Sequence, residues 1–304
     1  MPNKKPTLVT GGCGFVGRHL IKKLIAREKS IWIVDNLFTG KHPDEWLPRD
    51  FIKEKLGNHA TLYKKKSQTI TFVKEDALHF FGELVRNRSL TTFPTIPIFD
   101  DAYHLASIVG GRHLIDGDPL LVSYDLAIDS IFFTWATRPP KKVGRILYAS
   151  SSAAYPVHLQ AKNDARALVE NCIDFEETLG KPDMTYGWSK LTGEYLARLA
   201  HERYGLHVAC VRPFSGYGED QDLSYPVPAI ALRIARHDDP IEIWGDGSQV
   251  RDFIHVDTVR EIIMASVKRR GIFNVGSGIS TTILEVAKSF NKPIKFFPAR
   301  SGEI

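Results

Sequence analysis

The chain has 304 residues, a net charge of +5 and a pI of about 9.0, with 25% charged and 43% hydrophobic residues. That length supports a sizeable core, and the composition is ordinary for a globular enzyme. The small basic surplus suits a polyanionic small ligand, whereas no arginine-rich arm argues for nucleic acid and no apolar run approaches the ~20 residues of a membrane span.

Met1 to Lys5 leads straight into a strand, so no secretory leader is expected. The three cysteines, Cys13, Cys172 and Cys210, are widely spaced and form no metal pattern, which fits a reduced, cytoplasmic chain. Thr7 to Thr10 is a short apolar strand, followed by a glycine-rich turn and an amphipathic helix from Arg18 to Glu28. Ile31-Trp32-Ile33-Val34 is a second strand, closed by Asp35. Residues 36 to 68 make a long connection with a helical patch from Asp44 to Leu56. The basic run Lys64-Lys65-Lys66 in it reads as a solvated loop.

Thr69 to Val73, Ile98 to Leu105, Arg145 to Ala149 and His207 to Val211 continue the strands, and Leu120 to Thr137 reads as an apolar helix. Strands alternating with helices predict an α/β fold with a Rossmann-type, doubly wound parallel sheet. After Arg212 the alternation fades among prolines and glycines. Residues 1–212 are therefore expected to bind the dinucleotide and 213–304 to form a smaller, irregular substrate lobe, with a strand near 272–276 returning to the main sheet.

Two signals carry the chemistry. Gly12, Gly14 and Gly17 satisfy G-x-G-x-x-G, and Gly11, Gly14 and Gly17 satisfy the more open G-x-x-G-x-x-G, between a strand and a helix. Such a turn brings backbone and helix N–H groups up to a pyrophosphate. Asp35 would accept both ribose hydroxyls of NAD and repel a 2′-phosphate, and no arginine follows it in Asn36-Leu37-Phe38. Asp76, after the third strand, is either an adenine contact or a turn residue.

The second signal is Tyr186-Gly187-Trp188-Ser189-Lys190. Tyrosine and lysine four apart share a helical face, where the ammonium lowers the phenol pKa so that Tyr186 can serve as acid and base. The fifth strand ends in Ser150-Ser151-Ser152, and strand ends of such a sheet face the ligand crevice.

Together with His104-Leu105-Ala106-Ser107, Tyr155, Arg212-Pro213-Phe214, Trp244-Gly245-Asp246-Gly247, Arg251-Asp252-Phe253 and Arg300-Ser301-Gly302, these residues resemble the extended short-chain dehydrogenase/reductases, and among them the nucleotide-sugar epimerase/dehydratase group. The resemblance spans essentially the whole chain. It implies that Ser151, Tyr186 and Lys190 are catalytic. It implies that Gly11, Gly14, Phe15, Val16, Gly17, Asp35, Asn36, Asp76, Ala77, Leu105 and Ala106, with Tyr186 and Lys190, hold NAD. Gly110, Gly111, Ser152, Ser215, Arg251 and Arg300 would meet a nucleotide-diphosphate sugar, the two arginines gripping its pyrophosphate.

Dehydratases of this group carry an Asp-Glu pair after the catalytic residue and the related decarboxylases a nearby Glu; here the positions read Ser152-Ala153-Ala154. Val109-Gly110-Gly111 and Tyr155-Pro156 resemble the GDP-mannose 3,5-epimerases and GDP-fucose synthases, which place a cysteine where Ala153 stands. The expected activity is a nucleotide-sugar 4-epimerase working through a 4-keto sugar. The alternatives are a GDP-sugar 3,5-epimerase, or a reductase or dehydrogenase that releases its cofactor. The helix from Leu120 and that of Tyr186 resemble the family's dimer-forming pair, so a homodimer is expected; neither nucleic acid, membrane nor metal is.

Overall fold

The computed structural model describes residues 5–27, 29–86, 95–110, 115, 117–160, 167–236 and 240–298. The first half contributes β1 (Thr7–Thr10), β2 (Ile31–Asp35), β3 (Ile52–Lys55), β4 (Ala60–Lys65), β5 (Gln68–Lys74), β6 (Phe99–His104) and β7 (Val143–Ala149). The second contributes β8 (His207–Pro213), β9 (Ser215–Tyr217), β10 (Ile241–Trp244), β11 (Val250–His255), β12 (Gly271–Val275), β13 (Ser280–Thr282) and β14 (Ile294–Phe297). The helices are α1 (Phe15–Ala26), α2 (Ala77–Val85), α3 (Pro119–Val122), α4 (Tyr124–Thr137), α5 (Met184–Glu202), α6 (Pro226–Ala235), α7 (Val256–Ser266) and α8 (Ile283–Lys288).

The large sheet runs in the order β12-β8-β7-β6-β1-β2-β5-β4-β3. From β12 to β5 every pairing is parallel. Helices cover both faces, which is why β1 is buried along all four residues and β2 reads as an almost unbroken apolar run. On one face Leu20, Ile21 and Leu24 of α1 join Val259 and Ile263 of α7 against Val9 and Ile33. On the other, Phe80 and Phe81 of α2 and Phe132 and Trp135 of α4 pack on Leu8, Val34 and Ile146. This is the doubly wound, Rossmann-like arrangement anticipated from the alternating pattern.

After Arg212 the chain divides its work. Strands β9, β11 and β13 form a three-stranded sheet and β10 pairs with β14, while β12 adds to the large sheet beside β8 and α7 packs on α1.

Three expectations need correction. The stretch from Asp44 to Leu56 is not helical. It holds one tight turn, Pro43–Glu45, and then β3, which pairs antiparallel with β4, which in turn pairs antiparallel with β5. The helix-forming charges of Ile52-Lys53-Glu54-Lys55 are overridden by pairing with a neighbouring strand. Lys64 and Lys65 accordingly lie on β4, with ion pairs to Glu54 and Asp50, rather than in a loop. Finally, Pro119–Thr137 is long and apolar enough to cross a membrane by length and composition. It serves here as a core element, burying Phe132, Phe133 and Trp135 and, on its inner side, Asp125 and Asp129.

Candidate active site

The chain leaves β1, turns to α1 and continues to β2 on one side, while β6 lies on the other side of β1. The loops after β1 and β6 therefore diverge and open a crevice at the carboxyl ends of the strands, where ligands of such sheets bind. A cleft there is lined by Gly11, Gly14, Asp35, Asn36, Asp76, Ala77, Leu105 and Ala106, which brings together most of the residues expected to hold the dinucleotide. Phe15, Val16 and Gly17 form the first turn of α1. That helix starts at Gly14 with no side-chain cap and no acid in its first turn, so its N–H groups are left for an anion. A Cβ on Gly17 would lie 2.5 Å from the Gly11 carbonyl oxygen, so only glycine lets the helix seat this closely on the loop.

Asp35 closes β2 with its carboxylate inside the cleft. It accepts the N–H of Cys13 at 2.8 Å and of Leu37 at 2.8 Å. Burial pushes its pKa above the ordinary aspartate value, and these two N–H groups with Arg18 oppose the shift. Asp76 does two jobs: it caps α2 by accepting the Leu78 N–H at 2.8 Å, and it takes hydrogen bonds from Asn36 and Tyr124, each at 3.1 Å. Phe38, Ser107 and Val109, named in the sequence only as motif neighbours, also line the cleft, and so do Thr39, Gly40 and Ile108, which were not singled out. The signal available was their position just past two strand ends already marked as crevice loops.

Helix α5 presents Tyr186 and Lys190 one turn apart, with the Lys190 ammonium 5.7 Å from the centre of the Tyr186 ring. A Cβ on Gly187 would meet the Ala153 carbonyl oxygen at 2.3 Å, so α5 packs backbone to backbone on the turn Ser152–Ala154. Ser151 caps that turn by accepting the Ala153 N–H at 3.1 Å, and its hydroxyl acts on the Tyr186 phenol. Ser151, Tyr186 and Lys190 thus form one constellation. Burial pushes the Tyr186 pKa up, while Lys190 and the Ser151 hydroxyl pull it back. For Lys190, burial disfavours the charge, but Asp129, Tyr186 and Asp125 outweigh it and its pKa stands above the ordinary lysine value.

Buried groups absent from the sequence reading surround this constellation. Asp125 and Asp129 reach it from α4. On α5, Glu194 lies one turn beyond Lys190 and accepts Arg212 through both oxygens, at 2.8 and 2.7 Å. Acids four apart on a helix look like surface charges in sequence, and only packing reveals them as interior.

Of the residues expected to meet substrate, Ser152 lies in the turn behind Ser151 and Gly110 follows the cleft residue Val109. Ser215 opens β9 and Arg251 lies exposed on β11, two residues before Phe253, the register partner of Ser215. Gly111 and Arg300 lie outside the described residues.

Residues 7–276 match the NAD dependent epimerase/dehydratase family. The chain belongs to that family. A dTDP-L-rhamnose 4-epimerase of Burkholderia thailandensis is 27% identical, over 93% of this chain and 80% of the relative. A UDP-N-acetyl-alpha-D-glucosaminuronate decarboxylase of Bacillus cytotoxicus is also 27% identical, over 95% of this chain and 80% of its own length. Among solved structures, a UDP-N-acetylglucosamine 4-epimerase from Methanobrevibacter ruminantium, in complex with UDP-N-acetylmuramic acid, superposes with a TM-score of 0.75. It shares 24% identity, over 99% of this chain and 88% of that one.

The cofactor of this epimerase/dehydratase family member is NAD, and the cleft fits it: an uncapped helix start for the pyrophosphate and a buried carboxylate for a ribose. Removing the charge while keeping the shape tests the second point. Asp35→Asn is expected to weaken NAD binding by about tenfold or more, as for a hydrogen bond to a charged group, and to weaken NADP binding less. Titration of both nucleotides by protein fluorescence checks it; equal weakening would remove Asp35 from selectivity.

Proposed function

We propose that this chain is a nucleotide-sugar 4-epimerase. The observation that carries the reading is the Ser151–Tyr186–Lys190 constellation with only Ser152-Ala153-Ala154 behind it. The site holds a proton-transfer group for a sugar hydroxyl, but no second acid at the place where elimination of water or assisted decarboxylation would need one. Bound NAD supplies a transient acceptor for the hydride of the sugar carbon.

Tyr186, deprotonated, removes the proton of the 4-hydroxyl as that carbon is oxidised, and gives it back when the alcohol is re-formed. Ser151 donates to the same oxygen and holds it against the phenol. Lys190 stabilises the phenolate form, and a positive nicotinamide ring would add to that pull. The 4-keto sugar would turn over in the pocket between the two proton transfers, so that Tyr186 re-protonates an alcohol of the opposite configuration. Arg251, with the pyrophosphate as its partner, is the proposed hold on the nucleotide end.

Purified protein offered a panel of GDP-, UDP-, CDP- and dTDP-sugars in D₂O, without added cofactor, tests the reading by chromatography and mass spectrometry. A new isomer free of deuterium is expected. Deuterium on carbon would point instead to enolisation, as in a 3,5-epimerase. Net turnover only with added NAD(H) would identify a reductase or dehydrogenase.

A homodimer belongs to the same proposal. Leu120, Leu126, Trp188 and Tyr195 stand exposed around the paired helices α4 and α5. Sedimentation is expected to give twice the 34.2 kDa chain mass, and Trp188→Glu to give the monomer. The free cysteines suit the cytoplasmic location we propose.

A further inference from the structure

Asp125 and Asp129 lie one turn apart on α4, at 0% and 1% exposure, and Lys190 at 2% is the cation they act on. Both carboxylates are fully engaged. Asp129 meets His104 Nε2 at 3.1 Å and accepts the Tyr148 hydroxyl at 2.6 Å. Asp125 accepts the Ile108 N–H at 2.6 Å and the Ser107 hydroxyl, so it also anchors the loop that walls the cofactor cleft. Lys190 stands 5.5 Å over the Tyr148 ring.

The proton positions follow from burial. Burial above all keeps His104 below the ordinary histidine value, so it is neutral. Its Nε2–H then donates to Asp129, and its Nδ1 accepts the hydroxyl of Thr10 at 2.8 Å. Thr10 in turn accepts the Ala106 N–H at 3.3 Å. Burial likewise keeps Tyr148 a phenol. Every donor in this chain points toward Asp129. Among the described residues the other buried ions close by, Glu194 and Arg212, neutralise each other.

Among the described residues two carboxylates therefore act on one ammonium, and a single negative charge is left over beneath Tyr186. A buried charge without a counter-charge is costly, so the site is built for one more cation. The oxidised nicotinamide ring is cationic and the reduced ring is neutral. The ring must lie beside the sugar carbon whose hydroxyl Tyr186 deprotonates. We propose that Asp125 and Asp129 are positioning residues that act through Lys190 to make this site prefer oxidised to reduced cofactor. The inference rests on reading Tyr186 and Lys190 as the reacting pair. Its consequence is that hydride return is downhill, so the keto sugar is short-lived and reduced cofactor is not handed to solvent.

The preference is read by competing NAD⁺ against NADH on the protein and following the fluorescence of bound NADH. Asp129→Asn and Asp125→Asn are each expected to shift the affinity ratio toward NADH by about tenfold, the scale of one partly screened charge interaction. Tyr148→Phe disturbs the same spot without altering charge and should leave the ratio unchanged. Burial pushes the Asp125 carboxyl up to about 6, with Lys190 opposing. Its charge is thus present above that pH and lost below it, so the unaltered protein should lose part of its NAD⁺ preference as pH falls through about 6. A ratio indifferent to pH and to both Asn variants, or equal weakening of both cofactors, overturns the proposal. No sugar enters this measurement, so it can fail while the 4-epimerase reading stands, and the reverse.

Discussion

Tyr186→Phe is expected to lower kcat by about 10²–10⁴-fold, the usual worth of a positioned acid–base group, while NAD binding stays within a few-fold. The reason for so clean a split is geometric. The ring remains beneath the Lys190 ammonium, and Gly187 still seats α5 against the Ser152–Ala154 turn. Only the phenolic oxygen beside Ser151 is lost, and with it the proposed path for the hydroxyl proton. Steady-state rates on the isomerised sugar nucleotide, with a parallel cofactor titration, make the comparison. If turnover survives within tenfold, the proton goes elsewhere and Tyr186 is a packing residue. If rate and cofactor binding fall together, the phenol is structural.

The largest effect on stability is expected at Arg212, which takes no part in the proposed proton transfer. Its side chain is 0% exposed and makes a two-point contact with Glu194, which also takes the Ser150 hydroxyl. The guanidinium stacks 4.6 Å from the Tyr155 ring and donates to the Glu170 carbonyl at 3.0 Å. Arg212→Met leaves Glu194 charged, buried and without its partner, which costs about 3–5 kcal/mol. Urea unfolding should show the loss. The double variant Arg212→Met/Glu194→Leu should recover much of it, because the greater part of the penalty is the stranded carboxylate and not the missing attraction. A double variant as weak as the single one would mean that Arg212 matters for its contacts with Tyr155 and Glu170.

What could be read in the sequence were the features fixed by local chemistry. A glycine-rich turn between a strand and a helix needs no knowledge of the rest of the chain, and neither does a tyrosine and lysine one helical turn apart. Asp35 was legible because it ends an apolar run. The strand β12 was also legible, as a short apolar run after an irregular stretch, and it pairs beside β8. Other features depend on partners far along the chain. Ile52-Lys53-Glu54-Lys55 has the composition of a helix surface and becomes a strand because Ala60–Lys65 lies beside it. The hint was Gly57, which takes a φ of 74° in the turn between them. Asp125 and Asp129 were read as part of an apolar helix, since nothing nearby shows that Lys190 waits on the other side. Glu194 and Arg212 are separated by 18 positions and find each other only through the packing of α5 on β8.

The antiparallel pair at the far side of the large sheet lines no part of the cofactor cleft, yet it decides what border the sheet presents. Without it the sheet would end at β5, whose Ile70, Thr71, Phe72 and Val73 are all buried and whose outer N–H and C=O groups would stand open. Such a flat apolar border is a template for another chain to join. The hairpin replaces it with β3, four exposed residues of which three are charged, Lys53, Glu54 and Lys55. A charged, short outermost strand resists further pairing. The long connection between the second and third strands of the sequence reading thus gives the sheet a border unsuited to further pairing.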